Sequence, residues 1–225
     1  MVRFFNTAGP CDPQDHYMLP PERRLGEIRG SIEKKLYFVV HAPRQAGKTT
    51  SLRALARELT EEGKYAALHT SCEVGQRLHE DLDASIGGIL SILTADAADA
   101  LPEELRPPSP DASQPASARL HDVLRRWSAS CPRPVVLFLD EIDALYDDAL
   151  LTVLRQLRSG FNKRPESFPH SVALIGLRDV RDYAILSHSA PALGTSSPFN
   201  IKSDSFRLRD FHEDEVAELY DQHTA

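Results

Sequence analysis

Short apolar runs alternate along the chain with stretches in which apolar residues recur every three or four positions. This is the pattern of a parallel sheet whose strands are joined by crossover helices. The run KLYFVVH (residues 35–41) is continuous enough for a buried strand, and Leu52, Leu55, Ala56 and Leu59 then fall on one stripe of a helix. Gly63 ends that helix, YAALHT (65–70) gives a second strand, and Val74, Leu78, Leu82, Ile86, Leu90 and Leu93 extend a long helical stripe. Leu120, Val123, Leu124 and Trp127 mark a further helix closed by CPRP, after which VVLFLDEID is a strongly apolar strand ending in acids. Helical spacing resumes at Leu150, Leu154, Leu157 and Phe161, and HSVALIGLRD (170–179) and SFRLRD (205–210) supply a fourth and a fifth strand.

These elements predict a core over residues 31–209, preceded by an N-terminal arm over 1–30. Residues 95–118 (ADAADALPEELRPPSPDASQPASA) show no periodicity and predict a flexible surface insertion, since so little apolar area cannot offset the entropy of ordering it. The last segment, 210–225, opens on Asp210-x-x-Glu213, spaced as a capping box, and places Val216, Leu219 and Tyr220 on one helical face. It reads as the first helix of a helical lid subdomain.

Composition narrows the function. The 225 residues suffice for one sizeable domain, and 26 Lys plus Arg against 33 Asp plus Glu give a net charge of −7. Such a field repels polyanions, so nucleic acid is not indicated. Cys11, Cys72 and Cys131 are odd in number, dispersed and not in CxxC spacing, which predicts reduced thiols rather than a disulfide framework or a zinc site. The N-terminus lacks the apolar segment of a signal peptide, and IGGILSIL is too short to span a bilayer, so the expectation is a cytoplasmic chain without a membrane segment. The histidines have no metal-ligand spacing and no GxSxG elbow occurs.

The chemistry concentrates in HAPRQAGKTT (residues 41–50), which matches the phosphate-loop pattern GxxxxGK(S/T) except that Ala42 stands at the first glycine. The stretch leaves an apolar strand and opens a helix, as it must if backbone N–H groups from Arg44, Gln45, Ala46 and onward to Thr50 are to wrap a phosphate at a helix N-terminus, with Pro43, which has no N–H, lining the loop beside them. Gly47 admits the phosphates closely, Lys48 supplies a cation to the β and γ oxygens, and the Thr49 hydroxyl is a Mg²⁺ ligand. Downstream, the acids ending VVLFLDEID complete the set. They predict that Asp140 holds Mg²⁺ through water and that Glu141 orients and deprotonates the attacking water.

Competing nucleotide chemistries fit less well. NKRP (162–165) has Pro165 where a guanine-reading NKxD needs Asp, and Asp140 is followed three residues later by Asp143 rather than glycine, so adenine is favoured. DEID resembles a helicase box, but the chain has no room for a second motor domain, and no LSGGQ-like signature is present. A small-molecule kinase fits the length, yet Glu141 directly after the metal-binding acid points to water activation.

Taken together, FNTAGPC, HYMLPPERRL, HAPRQAGKTT, LDEIDAL, VLRQLRSG and GLRDVRDY resemble the bacterial AAA-ATPase-like family of ATP-binding proteins, close to the STAND branch of signalling NTPases. The resemblance covers essentially the whole chain, with Ala46 standing where relatives have Thr or Ser. It implies an α/β P-loop NTPase of the ASCE/AAA-like kind, a three-layer sandwich around a five-stranded parallel sheet of order 5-1-4-3-2. Similar ATPases sense the γ-phosphate from the end of the fourth strand, which makes Arg178 the candidate sensor and Arg181 its reserve. By the same likeness Tyr17, Met18, Leu19 and Pro20 flank the adenine. The stretch SHSAPALGTSSPFNIKSDSF lacks the trans-acting arginine usual in ring-forming motors. The expectation is therefore a Mg²⁺-dependent, slow ATPase cycling between ATP and ADP states as a switch, with protein partners or self-association. The alternative is a non-hydrolysing ATP-binding scaffold.

Overall fold

The computed structural model describes residues 3–7, 9–78, 81–145, 147–177 and 202–224. Five strands form one sheet: β1 (Tyr37–His41), β2 (Ala66–Ser71), β3 (Val135–Asp140), β4 (Ser171–Gly176) and β5 (Lys202–Arg207). Their spatial order is β2-β3-β4-β1-β5 with every neighbouring pair parallel, which is the expected order 5-1-4-3-2 read from the other edge. Among the described residues the α-helices are α1 (Gly26–Glu33), α2 (Lys48–Glu61), α3 (Leu82–Ala100), α4 (Ala116–Ser130), α5 (Asp147–Gly160) and α6 (Glu213–Thr224).

The central strands are apolar throughout because both faces of the sheet are covered, and their alternate side chains enter two separate cores. Val39, Leu137, Leu139, Val172 and Leu174 pack with Leu90 and Leu93 of α3, Trp127 of α4 and Leu154 of α5. Phe38, Val40, Val136, Phe138 and Ile175 pack with Ile28 and Ile32 of α1 and with Leu52, Leu55 and Leu59 of α2. The result is a three-layer α/β sandwich with the strand order of P-loop NTPases. Among the described residues no helix is long and apolar enough to cross a membrane.

Residues 95–118 differ from the sequence expectation of a flexible insertion. Helix α3 continues to Ala100, a 3-10 turn covers Glu103–Leu105, and α4 begins at Ala116. Leu101 and Leu105 are buried in the core behind α3 and α4, so two leucines suffice to anchor a segment whose composition is otherwise polar. The ADAADA stretch is also alanine-rich, and alanine is the best helix former. Arg106 donates to the carbonyls of Ala98 and Leu101, both at 2.8 Å, and buried Arg119 donates to Gln114 O at 2.7 Å and Asp83 Oδ1 at 2.8 Å. The Trp127 indole N–H donates to Leu105 O at 2.8 Å in a fully buried setting. Trp127→Phe leaves that carbonyl only the weak bond from Cys131 Sγ at 3.9 Å, and the expected loss is about 1–3 kcal/mol in urea unfolding. An unchanged midpoint would show that the 101–106 turn does not depend on this bond.

Two further boundaries move. The stripe from Val74 to Leu93 is broken: a 3-10 turn covers Glu73–Leu78, and α3 starts afresh at Leu82, where the Asp81 side chain accepts from Ala84 N at 2.9 Å. At the C-terminal helix the cap lies two residues beyond the expected Asp210-x-x-Glu213. The His212 N–H donates to Glu215 Oε2 at 2.9 Å, and the Val216 N–H donates to His212 O at 3.0 Å. Arg209 fixes this register by a bidentate bond to Glu215 at 2.6 and 2.7 Å, and with the His212 N–H it pulls the Glu215 carboxyl down to about 2.

Candidate functional site

Residues 42–47 connect β1 to α2, and the conformation of this loop follows from its small and left-handed residues. Gln45 (φ 62°) and Gly47 (φ 77°) both lie in the left-handed region, with Gly47 as the N-cap of α2. Pro43, Arg44 and Gln45 are exposed, whereas Ala46, Gly47, Lys48, Thr49 and Thr50 are half-buried where the helix begins. Ala42 is buried and its N–H donates to Gly176 O at 3.3 Å, so its methyl group is accommodated at the first position of the loop. The Lys48 ammonium curls over the loop and donates to Ala42 O at 2.6 Å and Pro43 O at 2.9 Å. Burial lowers its pKa, while Asp140, Asp143 and Glu141 act in the opposite direction.

Strand order brings the acids to this loop. The Thr49 hydroxyl donates to Asp140 Oδ2 at 2.7 Å, and the other carboxylate oxygen accepts the Glu141 N–H at 2.9 Å. His69 on β2 places Nε2 3.0 Å from the same Asp140 Oδ2. Burial taken alone pushes the Asp140 carboxyl up. The bonds from His69, Thr49 and the Glu141 N–H together outweigh it and hold the group below its ordinary value, hence ionised near neutral pH. Cys72, fully buried beside these acids, has its thiol pushed up to about 12 by burial, so it is not a thiolate.

Glu141 adopts a left-handed backbone (φ 55°), uncommon for a residue with a side chain, and this turn ends β3. Its exposed carboxylate accepts from Ser71 Oγ at 2.8 Å. Partial desolvation raises its pKa, aided by Glu73 and Asp140, and the Ser71 bond opposes the rise. At Gly176 an added Cβ would lie 2.8 Å from Asp143 Oδ1, so a side chain there would require the Asp143 carboxylate to move aside.

The N-terminal arm lies over the start of α2. The Cys11 N–H donates to Thr50 Oγ1 at 3.0 Å, and Arg24 donates to Ala46 O at 2.9 Å. Arg24 also donates to Arg209 O, and its guanidinium stacks 4.6 Å from the Phe211 ring centroid, so one side chain joins the loop to the segment leading into α6. Tyr17 and Met18 are half-buried, Leu19 is buried and Pro20 is exposed. Tyr17 and Met18 contact His223 and Gln222 of α6. Arg178 and Arg181 lie outside the described residues.

The structure thus brings Lys48, Thr49, Asp140 and Glu141 to one end of the sheet. His69 and Ser71, to which the sequence reading gave no role, join them. Both sit at the end of β2, and the register that pairs Ser71 with Asp140 puts them beside the acids. The only sequence signal was polar residues closing an otherwise apolar strand. Arg24 likewise carried no signal beyond its charge.

Comparison with known proteins places this geometry. Among solved structures, the Walker-type ATPase of Pyrococcus abyssi matches with a TM-score of 0.61 at 13% identity, over 96% of this chain and 60% of its own. The Drosophila ORC bound to poly(dA/dT) DNA and Cdc6 matches with a TM-score of 0.56 at 14% identity, over 90% of this chain and 31% of its own. Cdc6p from Pyrobaculum aerophilum matches with a TM-score of 0.54 at 14% identity, over 90% of this chain and 48% of its own. The chain therefore spans less than two thirds of each of these proteins, and at such identities the likeness is one of fold. No curated protein matches it. The sequence model of the AAA ATPase domain matches residues 24–175, more than half of the chain, from Arg24 through the phosphate loop and the acids to β4. The chain belongs to the AAA ATPase domain family.

Proposed function

We propose that the domain binds ATP with Mg²⁺ at the β1–α2 loop and hydrolyses it slowly, acting as a STAND-like switch between ATP and ADP states. The observation that carries this reading is the 2.7 Å contact between the Thr49 hydroxyl and the Asp140 carboxylate, with Glu141 next in the chain. Two oxygen donors, one an ionised carboxylate, suit Mg²⁺, so Thr49 and Asp140 are the residues that would hold it. When bound, the ion neutralises charge on the β and γ phosphates. Lys48 exchanges the Ala42 and Pro43 carbonyls for phosphate oxygens, and the N–H groups of the loop surround the β-phosphate. Glu141 takes a proton from a water that attacks the γ-phosphorus, and the bond to the β–γ bridging oxygen breaks, leaving ADP and phosphate. Arg178 as γ-phosphate sensor and Tyr17, Met18 and Leu19 beside the base belong to the same proposal.

In the structure Lys48 and Glu141 are both engaged, on loop carbonyls and on Ser71, so catalysis requires them to be redirected. That supports slow turnover and is also what favours the second reading, a scaffold that binds ATP without cleaving it. Arg24 connects the loop to the segment before α6 and offers a route by which nucleotide state reaches that helix. Protein partners or self-association would read the change. The ORC structure above holds DNA, but a net charge of −7 and a likeness of fold alone give no reason to carry that ligand over. The dispersed free cysteines fit a cytoplasmic setting.

The test is the pH profile of phosphate release from Mg·ATP. Activity needs the ionised carboxylate, so it falls as pH drops through the Glu141 pKa, and the acid limb should lie above that of an ordinary glutamate. Ser71→Ala removes a bond that favours the ionised form and should move the limb further up. A limb identical in the two proteins would remove Glu141 from the role of base. Chelation of Mg²⁺ by EDTA should abolish release in both.

A further inference from the structure

The backbone of Met18 forms a pair of hydrogen bonds with one side chain more than 200 residues away in sequence. The Met18 N–H donates to Gln222 Oε1 at 3.3 Å, and Gln222 Nε2 donates to Met18 O at 2.9 Å, across a separation of 204 residues. A primary carboxamide presents an acceptor and a donor side by side. So does adenine, whose N1 accepts and whose N6 amino group donates. In sequence Met18 falls between the two residues that fix the arm to the start of α2 and its loop, Cys11 on Thr50 and Arg24 on Ala46. The residues next to each partner carry rings that meet across the same arm–helix contact: Tyr17 is 5.5 Å from His223 between centroids, and Phe5 is 4.9 Å from Tyr17 and 5.5 Å from Tyr220.

We infer that Gln222 occupies the base-reading edge of Met18 and that a purine base replaces it, so that base binding and undocking of α6 are one event. This rests on the nucleotide-binding reading above.

The helix is built to be displaced. Glu215 is its one buried residue among those described, and Val216 and Tyr220 are exposed. Among the described residues its other ties to the arm are the Tyr17–His223 contact, the exposed Arg23–Glu218 ion pair and surface ring contacts. Exposed ion pairs contribute little, and a segment with few buried apolar contacts opens locally at low cost. A base that satisfies the Met18 pair therefore needs only a modest differential affinity to shift α6. Tripolyphosphate carries no base to replace Gln222 on Met18, so the inference separates base from phosphate.

The 225-residue chain is titrated with ADP and with inorganic tripolyphosphate while amide exchange is followed over residues 213–224. ADP should accelerate exchange there, and tripolyphosphate, bound at the loop, should not. Gln222→Ala should show fast exchange without ligand and bind ADP roughly three- to tenfold tighter, since the competitor is gone, with tripolyphosphate affinity unchanged. ADP that binds but leaves exchange unchanged or slows it, tripolyphosphate that releases the helix equally, or a variant with wild-type ADP affinity would each overturn the inference and leave the nucleotide site standing. The wild-type exchange measurement decides even if the variant does not fold. Failure of wild type to bind either ligand would overturn the functional reading and this inference with it.

Discussion

Glu141→Gln should leave ATP binding intact and lower phosphate release by about two to four orders of magnitude, the usual contribution of a positioned general base. The substitution keeps the shape of the side chain and its capacity to accept from Ser71 Oγ, now 2.8 Å away, but removes the proton acceptor. Glu141 sits in a left-handed turn at φ 55°, and glutamine differs from glutamate only in the terminal group, so the backbone need not change. Binding should also be preserved because Lys48, Thr49 and Asp140, the groups assigned to phosphate and metal, are untouched. Binding of ATP by wild type with no release above a protein-free control would leave the scaffold reading, and equal release above that control from both proteins would remove Glu141 as the base.

Lys48→Ala should abolish the stabilisation that Mg·ATP gives the wild-type chain. A ligand that binds only the native state at about a hundredfold its Kd adds about 2.7 kcal/mol, or roughly 5 to 10 °C in melting temperature for a domain of this size. Lys48 is half-buried and already satisfied by two carbonyls of its own loop. Its removal exposes those carbonyls at a surface that water reaches, so the apo protein should lose little. A full thermal shift in this variant would mean that ATP binds somewhere other than the β1–α2 loop.

The parts of the fold that were legible in the sequence are those specified by local pattern. The apolar runs at 35–41 and 135–140 fit buried strands, as the structure has them, and the stripe Leu52, Leu55, Ala56, Leu59 follows the first at helical spacing. Gly47, Lys48 and Thr49 between strand and helix, and Asp140 with Glu141 after the other strand, could therefore be singled out as one candidate site, and the structure brings them to the same end of the sheet. What failed was set by particular tertiary contacts. Composition over 95–118 did not show that Leu101 and Leu105 would enter the core or that Trp127 would bond to the backbone of their turn. The cap at α6 moved because Arg209 pulls Glu215 into place, and the Asp210-x-x-Glu213 spacing is blind to that pair.

Residues that depend on strand adjacency could not be read. His69 and Ser71 matter because β2 lies beside β3 in the register that sets Ser71 opposite Asp140, and nothing in YAALHT carries that information. Arg24 and Gln222 are longer-range still, joining the arm to the loop and to α6. Arg178 was read from family likeness, and it lies outside the described residues.

Hydrolysis at this one site is tested most directly by a single-turnover experiment with the wild-type chain in excess over γ-labelled ATP, with and without EDTA. Label should pass from ATP to inorganic phosphate in Mg²⁺ and stay in ATP when the ion is chelated. Stoichiometric binding of ATP in Mg²⁺, followed by its recovery intact after hours, would contradict it.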